Sequence, residues 1–335
     1  MTNKYMKKAV ALMIALILSL TPISANAAAR VCPGGFPFGV KFYTDGVIVS
    51  SLEEVSADGG AVMPALNAGL KLKDIITEIN GVHVTSALSV SDAVAKSGGA
   101  PLSLTVRRGG ETLCLTLTPV KSVSDGRYKA GLWLKDSTAG VGTVTYTVPE
   151  TGEFAGLGHG ICDADTGEVL PLSRGVVLSV NVNGIKRGLP GSPGELRASF
   201  EGDKIGTLVG NSDTGVYGLL STPPNAETVE LGKRECVHEG EARIISTLDN
   251  TGPCEYTVTI SEIDRAGKGS KNFIVTVTDK RLLEKTGGIV QGMSGSPILQ
   301  DGKLIGAVTH VLVSDPARGY GIFIENMLSE AEKNK

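Results

Sequence analysis

From residue 121 to the C-terminus the chain is a succession of short β-prone runs. Leu132-Trp133-Leu134, 144–148, 176–182, 206–209, 242–247, 256–263, 273–278 and 304–313 are each separated by Gly, Asn, Asp or Pro. Apolar and β-branched runs of this length, bounded by turn residues, are strands, and strands in this number must close or stack to bury their edges. The expectation is an all-β barrel or sandwich, with only 326–335 patterned as a terminal helix. The 44 glycines and 15 prolines supply the turns, and without a three-residue glycine period they exclude a collagen-like chain.

Residues 35–120 have a different texture, that of a small α/β module. Val47-Ile48-Val49 follows an Asp45-Gly46 turn, and 61–68 is a short apolar helix stopped by Gly69. Asp74-Ile75-Ile76-Thr77-Glu78-Ile79 alternates up to Asn80-Gly81. Ser89 opens a helical pattern carrying Val90, Ala93 and Val94, and 102–106 with 113–117 flank Arg108-Gly109-Gly110 as a hairpin. Ahead of the module, Lys4, Lys7 and Lys8 precede the apolar stretch 9–20, interrupted only by Ser19, and an Ala25-Asn26-Ala27 site. Charge, apolar run and small-residue site in that order read as a secretory signal over 1–27, removed or kept as an N-terminal anchor. The remainder is then a soluble exported body.

Composition excludes several functions. Aromatic residues make up 4%, too few for a stacking platform on single-stranded nucleic acid. A net charge of −3 without a long basic run excludes phosphate-backbone binding. The five cysteines, Cys32, Cys114, Cys162, Cys236 and Cys254, include no CxxC. Cys236 and Cys254 could pair after export, or all five could be isolated thiols, and zinc is disfavoured because no ligand spacing appears.

The sharpest chemical signal is Gly292-Met293-Ser294-Gly295-Ser296-Pro297. A turn of this kind lets the N–H groups of Gly292 and Ser294 face one spot as an oxyanion hole, while Ser294 presents its hydroxyl there. The hexapeptide resembles the nucleophile turn of chymotrypsin-like serine peptidases. A serine nucleophile needs a base. Of four histidines, His83 lies in the α/β module and His238 in a charged stretch. His310 sits inside an apolar strand, as a cleft wall or a buried structural residue. His159, in Gly158-His159-Gly160, has glycines that leave room for a substrate and is the preferred base. The third member has several candidates. Asp163 and Asp165 read as turn formers, and Asp279, 15 residues before Ser294, reads equally as the N-cap of a helix over 280–285.

Two family resemblances follow. Gly69-Leu70-Lys71-Leu72-Lys73-Asp74-Ile75-Ile76 with Ile79-Asn80-Gly81 resembles the central strand and turn of a PDZ domain. Pro37-Phe38-Gly39-Val40 resembles that family's carboxylate-binding loop, so Phe38, Gly39 and Val40 are expected to hold a peptide that adds as a strand, walled by the helix after Ser89. Gly158-His159-Gly160-Ile161, the stretch from Gly288 to Ile298, Gly302 to Val311 and Gly319-Tyr320-Gly321 resemble the SpoIVB peptidases. That resemblance implies a PDZ-like domain over 35–120 followed by a chymotrypsin-like double-barrel peptidase domain over 121–335. It implies a His159, Asp279, Ser294 triad and no metal or organic cofactor.

The implied function is that of an exported serine endopeptidase in the space between the two membranes of a developing spore. It would cleave itself or a membrane-protein regulator of an intramembrane protease and so activate a late sigma factor, with a peptide, possibly from its own chain, on the PDZ-like domain. In sporulation members a longer segment, where self-cleavage occurs, separates the leader from this block, whereas here the block follows almost directly. The alternatives are a non-catalytic sporulation scaffold and a general envelope quality-control protease, which also pairs PDZ and peptidase domains.

Overall fold

The structure, a computed structural model, describes residues 30–162, 167–224 and 226–333. The signal over 1–27 and the pair Asp163 and Asp165 lie outside the described residues. Among the described residues no helix is long and apolar enough to cross a membrane.

The chain is mainly β. Strand β1 (Pro37–Leu52) is followed by β2 (Ile75–Ile79), helix α1 (Ala87–Lys96), β3 (Leu102–Arg108) and β4 (Glu111–Leu117). Then come β5 (Leu132–Thr147), β6 (Glu153–Gly156), β7 (Leu172–Lys186), β8 (Glu195–Ser212) and β9 (Gly215–Leu220). The C-terminal part holds β10 (Gly240–Ser246), β11 (Cys254–Ser261), β12 (Phe273–Val277), α2 (Lys280–Thr286), β13 (Pro297–Gln300), β14 (Lys303–Leu312), β15 (Asp315–Phe323) and α3 (Ile324–Lys333).

The pairings close two rings. In the first, β1 pairs with β7, β7 with β8, β8 with β9, β9 with β6, β6 with β5, and β5 with β1 again, all antiparallel. In the second, β10 pairs with β11, β11 with β12, β12 with β15, β15 with β14, β14 with β13, and β13 with β10. This is the double-barrel architecture of the chymotrypsin-like peptidases, and closure removes the sheet edges that so many short strands would otherwise expose. Alternation fills each barrel. In β11, Tyr256, Val258 and Ile260 point inward while Thr257, Thr259 and Ser261 are less buried. Phe38, Phe42, Val144 and Phe154 pack inside the first barrel, and Ile244, Val258, Phe273 and Phe323 inside the second. The seam between them is closed by Tyr146, Ala155 and Tyr217 of the first barrel, Ala307 and Ile322 of the second, and Met327 of α3.

The α/β module is not a separate unit ahead of the barrels. Residues 37–44 of β1 pair with β7 and with 137–143 of β5 inside the first barrel, whereas 48–52 of the same strand pair with 132–135 of β5 and, through Val47 and Ile48, with β2. The expected division into 35–120 and 121–335 is therefore corrected: the module is inserted into the β1–β5 hairpin, and both strands run unbroken from it into the barrel. Gly46 at φ +108 marks the crossing on β1, and a register shift between Lys135 and Ser137 marks it on β5. The module has its own core of Val47, Val49, Leu70, Ile76 and Leu104, covered by Val90 and Val94 of α1.

The same topology corrects the expected carboxylate-binding loop. Phe38 is fully buried, Val40 nearly so, and Phe38 meets Phe154 edge to face with ring centroids 5.7 Å apart. Gly39 lies under the Phe200 ring, where a Cβ would come within 2.3 Å. Phe38, Gly39 and Val40 are residues of the first barrel, on a strand paired with β7, and not of the module's groove. Phe38→Ala should accordingly cost about 3–5 kcal/mol in chemical denaturation, as large-to-small changes in a packed core do. A cost under about 0.5 kcal/mol, typical of an exposed loop, would contradict this placement.

Candidate active site

The serine turn is built from both barrels. Helix α2 ends at Gly287 in the left-handed conformation, φ +77, with its N–H on Leu283 O at 2.9 Å. The chain then leans on the first barrel, Gln291 N–H donating to Gly194 O and Leu196 N–H to Gln291 O, each near 2.8–2.9 Å. Met293 is fully buried in the core of the second barrel, its N–H on Val290 O at 3.1 Å, which leaves the next residue, Ser294, at the barrel wall.

Three hydrogen bonds from β5 clasp this turn across the seam. Thr143 N–H donates to Ser294 O at 2.9 Å, Thr143 Oγ1 to Gly292 O at 2.7 Å and Thr145 Oγ1 to Gly295 O at 2.8 Å. The approach is close enough that a Cβ on Gly295 (φ +96) would lie 2.0 Å from Thr143 O. With the carbonyls of the turn held outward by threonines, the N–H groups of Gly292 and Ser294 donate to no acceptor among the described residues. A free pair of adjacent amides is what an oxyanion hole requires.

His159 sits on a strained loop. Leu157, a non-glycine residue, has φ +66 and is followed by Gly158 at φ +68. Such a backbone costs of order 1–3 kcal/mol and persists only where its surroundings impose it. Here the Leu157 N–H donates to Thr143 O at 3.2 Å and its side chain packs in the first-barrel core. Beyond His159, Asn211 pins the loop, its Oδ1 accepting Ile161 N–H and its Nδ2 donating to Ile161 O and Leu170 O, at 2.8–2.9 Å. The Nδ1 atom of His159 lies 2.9 Å from Gly160 O. A carbonyl only accepts, so the neutral ring carries its proton on Nδ1 and Nε2 is the basic atom. Burial lowers the His159 pKa below its ordinary 6.5.

The His310 ring from β14 lies against that of His159, centroids 4.6 Å apart and tilted 35°. Its Nδ1 is buried with no hydrogen-bond partner among the described residues, and burial first, then the charges of His159 and Lys271, push its pKa down to about 4. His310 is therefore neutral at pH 7. The adjacent Thr309 carbonyl accepts the Ser294 hydroxyl at 2.7 Å. The structure thus brings Ser294, Thr309, His310 and His159 to one seam, beside a cleft of about 500 Å³ lined by His159, Gly160, Cys162, His310, Gly140 and Val141. The Ser294 proton rests on Thr309 O, and no hydrogen bond joins Ser294 to His159.

Asp279 is not at this seam. Its Oδ1 caps α2 through Arg281 N–H at 2.9 Å, its Oδ2 takes Arg281 Nη2 at 2.7 Å and Thr257 N–H at 3.3 Å, and Arg281 holds its pKa down to about 2. Both oxygens are used by the helix cap and its arginine, so the expected triad role is corrected in favour of the cap. The other histidines are elsewhere: His83 pairs with Asp45, and His238 with Asp301 on the surface. Cys236 and Cys254 flank opposite ends of β10, since Cys254 faces Ser246 while Cys236 precedes Gly240. Strand length places them about 20 Å apart, too far for a disulfide. Among the described residues no cluster of His, Cys, Asp or Glu forms a metal site. Sequence reasoning missed Thr143, Thr145 and Asn211, which carry no motif.

The module's groove lies elsewhere than expected. At 132–135, β5 pairs with β1 on one side only, and α1 stands beside it, with Ala87 N–H on Asp136 Oδ2 at 2.9 Å. The preceding turn has Gly131 at φ +68, and neither the Ala130 nor the Gly131 N–H donates to a described acceptor. Paired free amides at the head of an open strand edge suit a carboxylate.

A base must be unprotonated to act, and a depressed pKa keeps His159 neutral to lower pH. The acid limb of kcat/KM should fall below pH 6.5; a limb at or above pH 7 would contradict the buried environment described for this ring.

The profile of the SpoIVB peptidase S55 family matches residues 126–328, and a PDZ domain profile matches 55–108. Serine protease HTRA1 of Xenopus tropicalis is 50% identical over 56 residues, 17% of this chain and 12% of that protein. The chain thus matches only about an eighth of that relative's length. A PDZ domain of an SdrC-like protein from Listeria monocytogenes is similar at 24% identity over 28% of this chain and 90% of that one, TM-score 0.23. A serine endoprotease from Yersinia pestis is similar at 16% identity over 58% of this chain and 57% of that one, TM-score 0.35.

Proposed function

This chain belongs to the SpoIVB peptidase S55 family and is a serine endopeptidase carrying a PDZ domain; we propose that Ser294 is its nucleophile and His159 its general base. The observation that carries the reading is the serine turn clasped across two barrels with two unused amides beside it. To act, Ser294 turns its hydroxyl from Thr309 O to His159 Nε2. Oγ then attacks the peptide carbonyl as His159 takes the proton, and the N–H groups of Gly292 and Ser294 hold the oxyanion. His159 next protonates the leaving amine, and water repeats the sequence on the acyl-enzyme. The role a carboxylate plays in other triads, fixing the tautomer, falls to Gly160 O. Seating a substrate frees Ser294 from Thr309 O, so the resting arrangement is poorly reactive until the cleft is filled.

We further infer an exported enzyme of sporulation signalling, cutting itself or a membrane-protein regulator of an intramembrane protease so that a late sigma factor becomes active. Membership of the S55 family, the PDZ domain and the export-type leader in the sequence support this reading. In a spore-forming host lacking its own S55 peptidase, the wild-type chain should restore late sigma-factor activity and Ser294→Ala should not, at equal protein level and equal unfolding midpoint. Equal restoration by both would make the chain a scaffold.

A further inference from the structure

Strand β5 links two places where an extended peptide could bind. Its residues 132–135 form the open edge of the module's groove, and its residues 138–142 form one wall of the cleft beside His159. Between 132 and 142 the strand pairs only with β1, so its other edge is unpaired among the described residues. The orientation of that edge is fixed at its far end. Thr143 N–H donates away from β1 to Ser294 O, and Thr143 O accepts Leu157 N–H on the same side. Alternate residues of a strand share a side, and the register is unshifted from Ser137 to Thr143, so the N–H and C=O groups of Val141 and Ala139 also face away from β1. The wall is open there: Thr138, Ala139 and Gly140 are exposed, and a Cβ on Gly140 would meet nothing.

We propose that this single edge seats the C-terminal segment of a protein substrate, with its carboxylate at Ala130 and Gly131 and its scissile bond at Ser294. The proposal rests on Ser294 being the nucleophile. Direction is the argument for this occupant. A carboxylate held at the head of β5 forces the bound chain to run antiparallel to it, so residues upstream of the terminus pass Ala139 and Val141 toward Thr143. That is also the order hydrolysis needs, because the leaving segment lies on the C-terminal side of the attacked carbonyl. Antiparallel strands advance together at about 3.4 Å per residue, and the two register shifts leave their extra residues on β1 rather than β5, so the span from Gly131 to Thr143 corresponds to about 12 residues. The enzyme then measures its cut from the substrate's C-terminus, and the PDZ domain acts as the far end of the substrate site.

The test uses the full exported chain and 20-residue peptides of mixed sequence with free C-termini. The same peptides are also prepared as C-terminal amides and with five residues added at the C-terminus, and products are read by mass. Free acids should be cut about 12 residues from the end. The cut should move five residues toward the new terminus in the lengthened set, and the amides should lose tenfold or more in kcat/KM. Ala139→Pro, which removes an outward N–H, should lower cleavage tenfold or more with its unfolding midpoint unchanged. Cuts that stay at one internal sequence, or amides cleaved as well as acids, would overturn the proposal. A Ser294 that reacts with a fluorophosphonate while no peptide shows terminus-dependent cleavage would overturn it alone. An unreactive Ser294 would remove the catalytic reading beneath it.

Discussion

Thr143 and Thr145 hold the site together. Their three hydrogen bonds take the main-chain carbonyls of Gly292, Ser294 and Gly295 across the seam, so that two barrels with separate cores share one turn. Each bond is worth only about 0.5–1.5 kcal/mol, but all are partly or fully buried, and losing one leaves a carbonyl of the turn without its partner. The consequence is geometric more than energetic. With its carbonyls fixed on one side, the turn leaves the amides of Gly292 and Ser294 unused, and those amides are where negative charge can be held.

The same strand makes the PDZ domain part of the peptidase fold. A domain joined by a flexible linker would move independently of the site, but here β1 and β5 are the neck of the module and the wall of the barrel at once. A peptide added along 132–135 therefore extends a sheet whose far end is the serine clasp. The resting hydrogen bond from Ser294 to Thr309 O, and the neutral His310 packed against His159, are the features that substrate must rearrange or use.

Much of this was legible in the sequence, and the failures share a cause. The mainly β class followed from run lengths and turn residues, and the peptidase family from the stretches around His159 and Ser294. The motif Pro37-Phe38-Gly39-Val40 misled because an apolar strand with a glycine looks the same whether it lines a groove or a barrel. Only its partner in β7, more than 120 residues away, distinguishes them. Asp279 misled because a carboxylate at a strand end can cap the next helix or reach a histidine, and Arg281 two residues on decides for the cap. The proximity of His310 to His159, and the clasp from Thr143 and Thr145, arise from closure of the barrels and have no local signature.

The most direct measurement is a crystal structure of the chain after reaction with a fluorophosphonate. The account predicts a bond from phosphorus to Ser294 Oγ, with a phosphonyl oxygen about 2.7–3.1 Å from the N–H groups of both Gly292 and Ser294. It also predicts the His159 ring facing Oγ through Nε2, with Nδ1 still on Gly160 O. A label on another residue, or a phosphonyl oxygen turned away from both amides while Thr143 and Thr145 keep their hydrogen bonds, would contradict it.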